Sequence, residues 1–128
     1  MLLETSCDPA GLVTVSLGEV VTSRDQAQVV AFVRASLATA GSVRVLLRLE
    51  RYGGWLPDPD ADPGAVWLRD DEGVTAIAIV GAPAWRIELL TLFTQPLRRL
   101  PVAYFTDEPA AHEWLARMTA PGRVVPSA

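Results

Sequence analysis

Apolar and polar positions alternate along two stretches of this chain and run almost unbroken through a third. Leu12-Val-Thr-Val-Ser-Leu17 and Val43-Arg-Val-Leu-Leu-Arg-Leu-Glu50 carry the alternation. Successive strand side chains point to opposite faces, so each stretch predicts a strand with one apolar and one polar side. Val74-Thr-Ala-Ile-Ala-Ile-Val80 is short, apolar and partly β-branched, which suits a strand covered by its neighbours. Gly81 and Pro83 stop that strand, and Trp85, Leu89, Leu92 and Phe93 then recur at helical spacing, with Ile87 and Leu90 widening the stripe past half the circumference. A βα unit results, and the rest of the chain repeats it more weakly.

Before it, a short strand over Leu2 to Thr5 pairs with Leu12 to Leu17 through the Asp8-Pro-Ala-Gly11 turn. Thr22 or Ser23 caps a helix in which Ala27, Val30, Ala31, Val33, Arg34 and Leu37 recur until Gly41 ends it. The segment from Arg51 to Gly73 is broken by proline and glycine and reads as a long loop with a helical turn or two around Ala65 to Asp70. Val102 to Phe105 makes a last strand. Thr106 or Asp107 caps a final helix that has Pro109 in its first turn and carries Ala111, Trp114, Leu115 and Met118. The predicted order is ββαβαβαβα.

Polar residues on one side of the strands bear on the architecture. A doubly wound sheet covers both faces and its strands read as continuous apolar runs, whereas Arg44, Leu46, Arg48 and Glu50 share a mostly polar face. The expectation is an α/β fold, a mostly parallel sheet with helices on one face and the other face wet or an interface. At 128 residues the chain forms one domain, expected over residues 1–118, with 119–128 as a flexible tail.

Composition narrows the function classes. Eleven basic residues, all arginine, against fifteen acids give 11 − 15 = −4, which disfavours a non-specific grip on nucleic acid. The single cysteine, Cys7, leaves no internal disulfide and fits a reducing cytosol. A secretion signal is not apparent after Met1, and no apolar run reaches the roughly 18 residues needed for membrane insertion. The expected compartment is cytoplasmic.

Three segments, in this order and spacing, carry a family resemblance: the Arg51-Tyr-Gly-Gly-Trp55 turn, Ile77-Ala-Ile-Val-Gly81 with Trp85 after it, and Val102-Ala-Tyr-Phe-Thr-Asp107 followed by Ala111-His-Glu-Trp-Leu115. Over nearly its whole length the chain resembles the SpoIIAA-like branch of the STAS superfamily (sulphate transporter and anti-sigma factor antagonist). The resemblance implies a right-handed βα superhelix with parallel strands in sequential order and an antiparallel first strand. It also implies either binding of lipids or other apolar ligands or regulation by protein contact. In the anti-sigma factor antagonists a serine at the start of the helix after the third strand is phosphorylated. Glu50 to Asp70 holds no serine or threonine, so that switch has no residue to act on here.

The candidate site follows from the aromatic residues. Trp55, Trp67 and Trp85 fall near the carboxyl ends of the third and fourth strands or between them, the edge where open α/β sheets take ligands. Tyr52, Trp55, Trp67, Trp85 and Leu89 are the candidate apolar walls, and the amides after Gly81 a seat for an acidic head. The alternative is that the same side chains are core packing. Asp58, Asp60 and Asp62 imitate a calcium loop, but Pro63 stands where a turn glycine belongs and Arg69 where the closing glutamate belongs. His112 is the only histidine, and a dyad with Cys7 would require the chain ends to meet. With no nucleophile, base or metal set in view, the expectation is a non-enzymatic binding domain without a cofactor. Its expected ligand is a small apolar or lipid-like molecule, and the alternative is a protein partner.

Overall fold

The computed structural model describes residues 2–56, 73–94 and 101–118. Strand β1 (Leu2–Cys7) turns into β2 (Leu12–Thr22), followed by helix α1 (Ser23–Ala40), β3 (Val43–Leu56), β4 (Val74–Gly81), a 3₁₀ turn (Pro83–Trp85), α2 (Arg86–Thr94), β5 (Val102–Phe105) and α3 (Glu108–Arg117). The strands form one sheet in the order β1-β2-β3-β4-β5. β1 is antiparallel to β2, and the other pairs are parallel. This is the expected α/β topology with an antiparallel first strand. The segment around Ala65 to Asp70 and the tail 119–128 lie outside the described residues.

Local chemistry sets the element ends. Asp8 closes the β1–β2 turn by accepting at Oδ1 from the amides of Ala10 and Leu12, both at 2.9 Å. Gly11 adopts φ +88°, and a Cβ there would meet the Ser42 carbonyl at 2.8 Å. Thr22 caps α1 in a reciprocal capping box with Asp25. The buried stripe of α1 is Val29 and Val33, with Gln26 and Ser36 beside them, while Ala27, Ala31 and Arg34 face solvent. Ser36 satisfies its hydroxyl on the Phe32 carbonyl at 3.0 Å. Asp107 caps α3 by accepting from the Ala110 amide at 3.1 Å.

Two differences from the sequence reading have physical causes. β3 does not end at Glu50 but runs on through Arg51-Tyr-Gly-Gly-Trp-Leu56, because β2 extends to Thr22 and offers it a ladder. Extra residues in β3 break the register between Ser16 and Gly18 and again between Glu19 and Val20. The second break lets Gly53 and Gly54 sit in a strand, opposite Glu19 in the left-handed region at φ +49°.

The helices do not all lie on one face. α1 and α2 cover the side bearing Val13, Val15, Val45, Leu47, Ile77 and Ile79, but α3 packs on the opposite side against Leu46, Ala76, Ala78 and Val80. The face expected to be wet or an interface is therefore the seat of α3. Its arginines hold the helix: Arg44 Nη1 donates to the Leu115 carbonyl at 2.8 Å, and Arg48 Nη2 pairs with Glu108 Oε2 at 2.7 Å. Leu46, between them, is fully buried. Ala76 and Ala78 keep that face shallow enough for Ala111 to approach.

Candidate functional site

Of the six candidate residues, Tyr52, Trp85 and Leu89 are brought into one cluster on the α1 and α2 side of the sheet. The register break in β3 is what turns Tyr52 inward: Leu49 and Tyr52 both enter the core, and Glu50 and Arg51 between them face out. Tyr52 is 5% exposed and Leu89 is 1% exposed. Trp85, half-buried at the end of the 3₁₀ turn, meets the Tyr52 ring edge to face, with centroids 4.9 Å apart and an interplanar angle of 86°. Such a pair adds about 0.5–1.5 kcal/mol beyond area burial. Two of the three side chains are thus core residues, and Trp85 alone keeps a surface.

The Tyr52 hydroxyl donates to Glu88 Oε2 at 2.7 Å. Burial, followed by that bond and the nearby Glu88 charge, pushes the phenol well above its ordinary range. It stays neutral and is a donor with its partner already fixed.

Gly81 has a different neighbour from the one expected. Tyr104 of β5 lays its hydroxyl against Gly81, where an added Cβ would come within 2.5 Å of the oxygen. The same hydroxyl donates to the Ala82 carbonyl at 2.5 Å. Burial raises the Tyr104 phenol too, against a lowering influence from Arg86. Glycine is required here because a tyrosine fills its open side. That role has no local signature in the sequence, since Gly81 and Tyr104 are far apart along the chain.

Trp55 lies in β3 with its backbone paired to Val21, at the carboxyl edge beside the cluster. Trp67 lies outside the described residues, as do Asp58, Asp60 and Asp62. Among the described residues no group of three or more His, Cys, Asp and Glu side chains is placed to hold a metal ion.

Two features were not foreseen. Ile87, on the outward side of α2, is 81% exposed, the most exposed of the large hydrophobics among the described residues. On the opposite face of the sheet, an open cleft of about 250 Å³ is lined by Leu3, Ser16, Leu17, Arg48, Glu50, Arg51 and Glu108. Its charges are largely matched within it: Arg48 reaches Glu108 at 2.7 Å and Glu4 at 3.9 Å, and His112 Nε2 shares the same Glu108 oxygen at 3.1 Å. Arg48 holds the Glu108 carboxyl below its ordinary range despite partial burial, with help from His112. The widened stripe of α2 was legible in the sequence, but which of its residues stays outside was not.

A sequential, mostly parallel sheet with its first strand reversed defines a βα domain of the α/β class. The chain belongs to the SpoIIAA-like family, which matches residues 12–116. It is similar in structure to an uncharacterized DUF3478-family protein with a SpoIIAA-like fold from Shewanella loihica PV-4, with a TM-score of 0.56 and 16% identity. That likeness covers 90% of this chain and 92% of the other, and at this identity it concerns the fold. No curated protein matches the sequence. Family membership supports a regulatory binding domain in general, and SpoIIAA-like domains are generally non-catalytic. No helix among the described residues is long and apolar enough to cross a membrane.

Proposed function

We propose that this domain acts by non-catalytic contact with a protein partner, docking through the outward side of α2. Ile87 carries the reading. Single exposed apolar residues are ordinary, but this one stands on a helix whose sequence is apolar nearly all round, next to the half-buried Trp85. A helix of that kind is either buried or covers something apolar, and Ile87 at 81% exposure is not buried. The contact of Tyr52 and Leu89 with the core favours this reading over a pocket walled by all six candidate residues. The family's general regulatory character agrees with it.

Co-purification from cells that naturally produce the protein tests the proposal. Wild type should retain a partner in near-stoichiometric amount, and Ile87→Glu should lose it at unchanged melting temperature. Equal recovery with both proteins contradicts the docking surface.

A second reading, uptake of a small apolar or lipid-like ligand at the same edge, has one observation in its favour: the Tyr52–Trp85 pair sits at the carboxyl ends of β3 and β4, with Trp55 paired into the adjoining ladder. Mass spectrometry of an organic extract, with Trp85→Ala alongside, tests it. A bound lipid lost from the folded variant would favour this reading, and an empty wild type would remove it.

A further inference from the structure

α3 is attached differently from α1. Its buried apolar residues are Ala111 and Leu115, with Trp114 and Met118 only partly covered. The strip beneath is built of Leu46, Ala76, Ala78 and Val80, all fully buried when the helix is seated. What fixes the helix at its two ends is polar and comes from a single strand. Arg44 holds the carbonyl of Leu115 near the helix C-terminus, and Arg48 holds Glu108 in its first turn. α3 therefore runs antiparallel to β3 under two arginine clasps.

The Arg48 clasp is incompletely satisfied when closed. Its Nε is buried and has no hydrogen-bond partner among the described residues. A buried donor without an acceptor costs free energy that contact with water would recover. The carboxylates around this guanidinium are Glu108 from α3, Glu4 from β1 and Glu50 from β3. Arg51 of β3 lines the same cleft as Glu108, and His112 of α3 touches the Glu108 carboxylate. Glu4 and Glu50 remain beside Arg48 when Glu108 leaves, so the cation is not stranded by opening.

We propose that α3 is a latch that opens as a unit while β2, β3 and β4 stay folded, with Arg48 and Glu108 as its catch. Opening bares the strip of Leu46, Ala76, Ala78 and Val80. Small cooperative units with few buried apolar contacts occupy the low end of local stability, and α3 fully buries only Ala111 and Leu115. The sign for acid follows from the Glu108 carboxyl, which Arg48 holds below its ordinary range. The catch is intact above the ordinary carboxyl range and is released as pH falls through the lowered value. His112 lies on α3 with Glu108, four residues on, so its contact with the Glu108 carboxylate travels with the helix and does not hold it to the sheet.

The test is thiol labelling under native conditions at neutral pH in the Cys7→Ser protein. One variant carries Ala111→Cys, on the sheet-facing side of the latch, and the other Val45→Cys, in the main core. The cysteine at 111 should label at least tenfold faster than the one at 45, and adding Glu108→Gln should accelerate labelling at 111 severalfold without changing that at 45. Equal rates at the two positions, or equal acceleration of both, overturn the latch. Native-state hydrogen exchange of the otherwise unaltered protein gives the same comparison without a buried substitution. Faster exchange across 111–118 than across 76–80 supports the latch, and a common rate overturns it.

Discussion

Replacing Gly81 by alanine separates a packing role at this position from a ligand-binding one. The added Cβ would lie 2.5 Å from the Tyr104 oxygen, whereas ordinary contact begins near 3.4 Å, so the hydroxyl must retreat by 3.4 − 2.5 = 0.9 Å. A retreat of that size takes it from 2.5 Å to outside the usual O–H···O range of roughly 2.5–3.0 Å and costs its bond to the Ala82 carbonyl. Losing a half-buried hydrogen bond costs about 1–3 kcal/mol. Against this, glycine to alanine reduces the freedom of the unfolded chain, a gain of about 0.4–1 kcal/mol. Gly81→Ala should therefore destabilise by about 1–2 kcal/mol, a fall of about 3–8 °C in melting temperature for a domain of this size. The informative assay is urea denaturation of a double-mutant cycle with Tyr104→Phe. Removing the hydroxyl removes most of the clash, so Gly81→Ala should cost at least about 1 kcal/mol less in the phenylalanine background. Some cost remains, because the ring carbon bearing the hydroxyl would lie 3.2 Å from the new methyl. Equal costs in both backgrounds would refute the reasoning.

Other perturbations have signed outcomes. Both tyrosines sit above the ordinary phenol range, so ultraviolet titration should show little tyrosinate at about pH 10, and stability should decline as pH rises beyond that value because the unfolded chain ionises first. Glu108→Gln should cost about 0.5–1 kcal/mol at neutral pH, a modest value because the pair is partly exposed. Its deficit relative to wild type should vanish in acid, where the wild-type carboxyl is protonated as well. Leu47→Ala, at a fully buried central position, should cost about 2–5 kcal/mol by chemical denaturation.

The strands were legible because alternation is a local property, and Val43 to Glu50 shows it without help from distant residues. The seat of α3 was not legible, because Arg44 and Arg48 read as solvent-facing. An arginine that receives a helix carbonyl and one that receives a helix carboxylate look the same in sequence as two solvated ones. A partial signal was present: Ala76, Ala78 and Val80 on β4 form an apolar row on the face where Arg44 and Arg48 stand on β3. Weighing that row above the arginines would have placed a helix over both faces. Gly53-Gly54 suggested a loop because glycine weakens a strand, yet opposite the Glu19 to Val20 register break it accommodates one. At the site, the nearness of Tyr52 and Trp85 followed from strand order, since both lie at the carboxyl edge. Whether they form the wall of a pocket or part of the core depends on Glu88 and on the neighbouring core residues, which no pattern along β3 reveals.

The docking surface is tested most directly by a photo-crosslinking amino acid placed at Ile87, compared with the same group at Ala35, which is exposed on α1. After irradiation of producing cells, position 87 should yield a discrete protein adduct that position 35 does not. Indistinguishable patterns from the two positions would contradict the assignment of α2 as the contact surface.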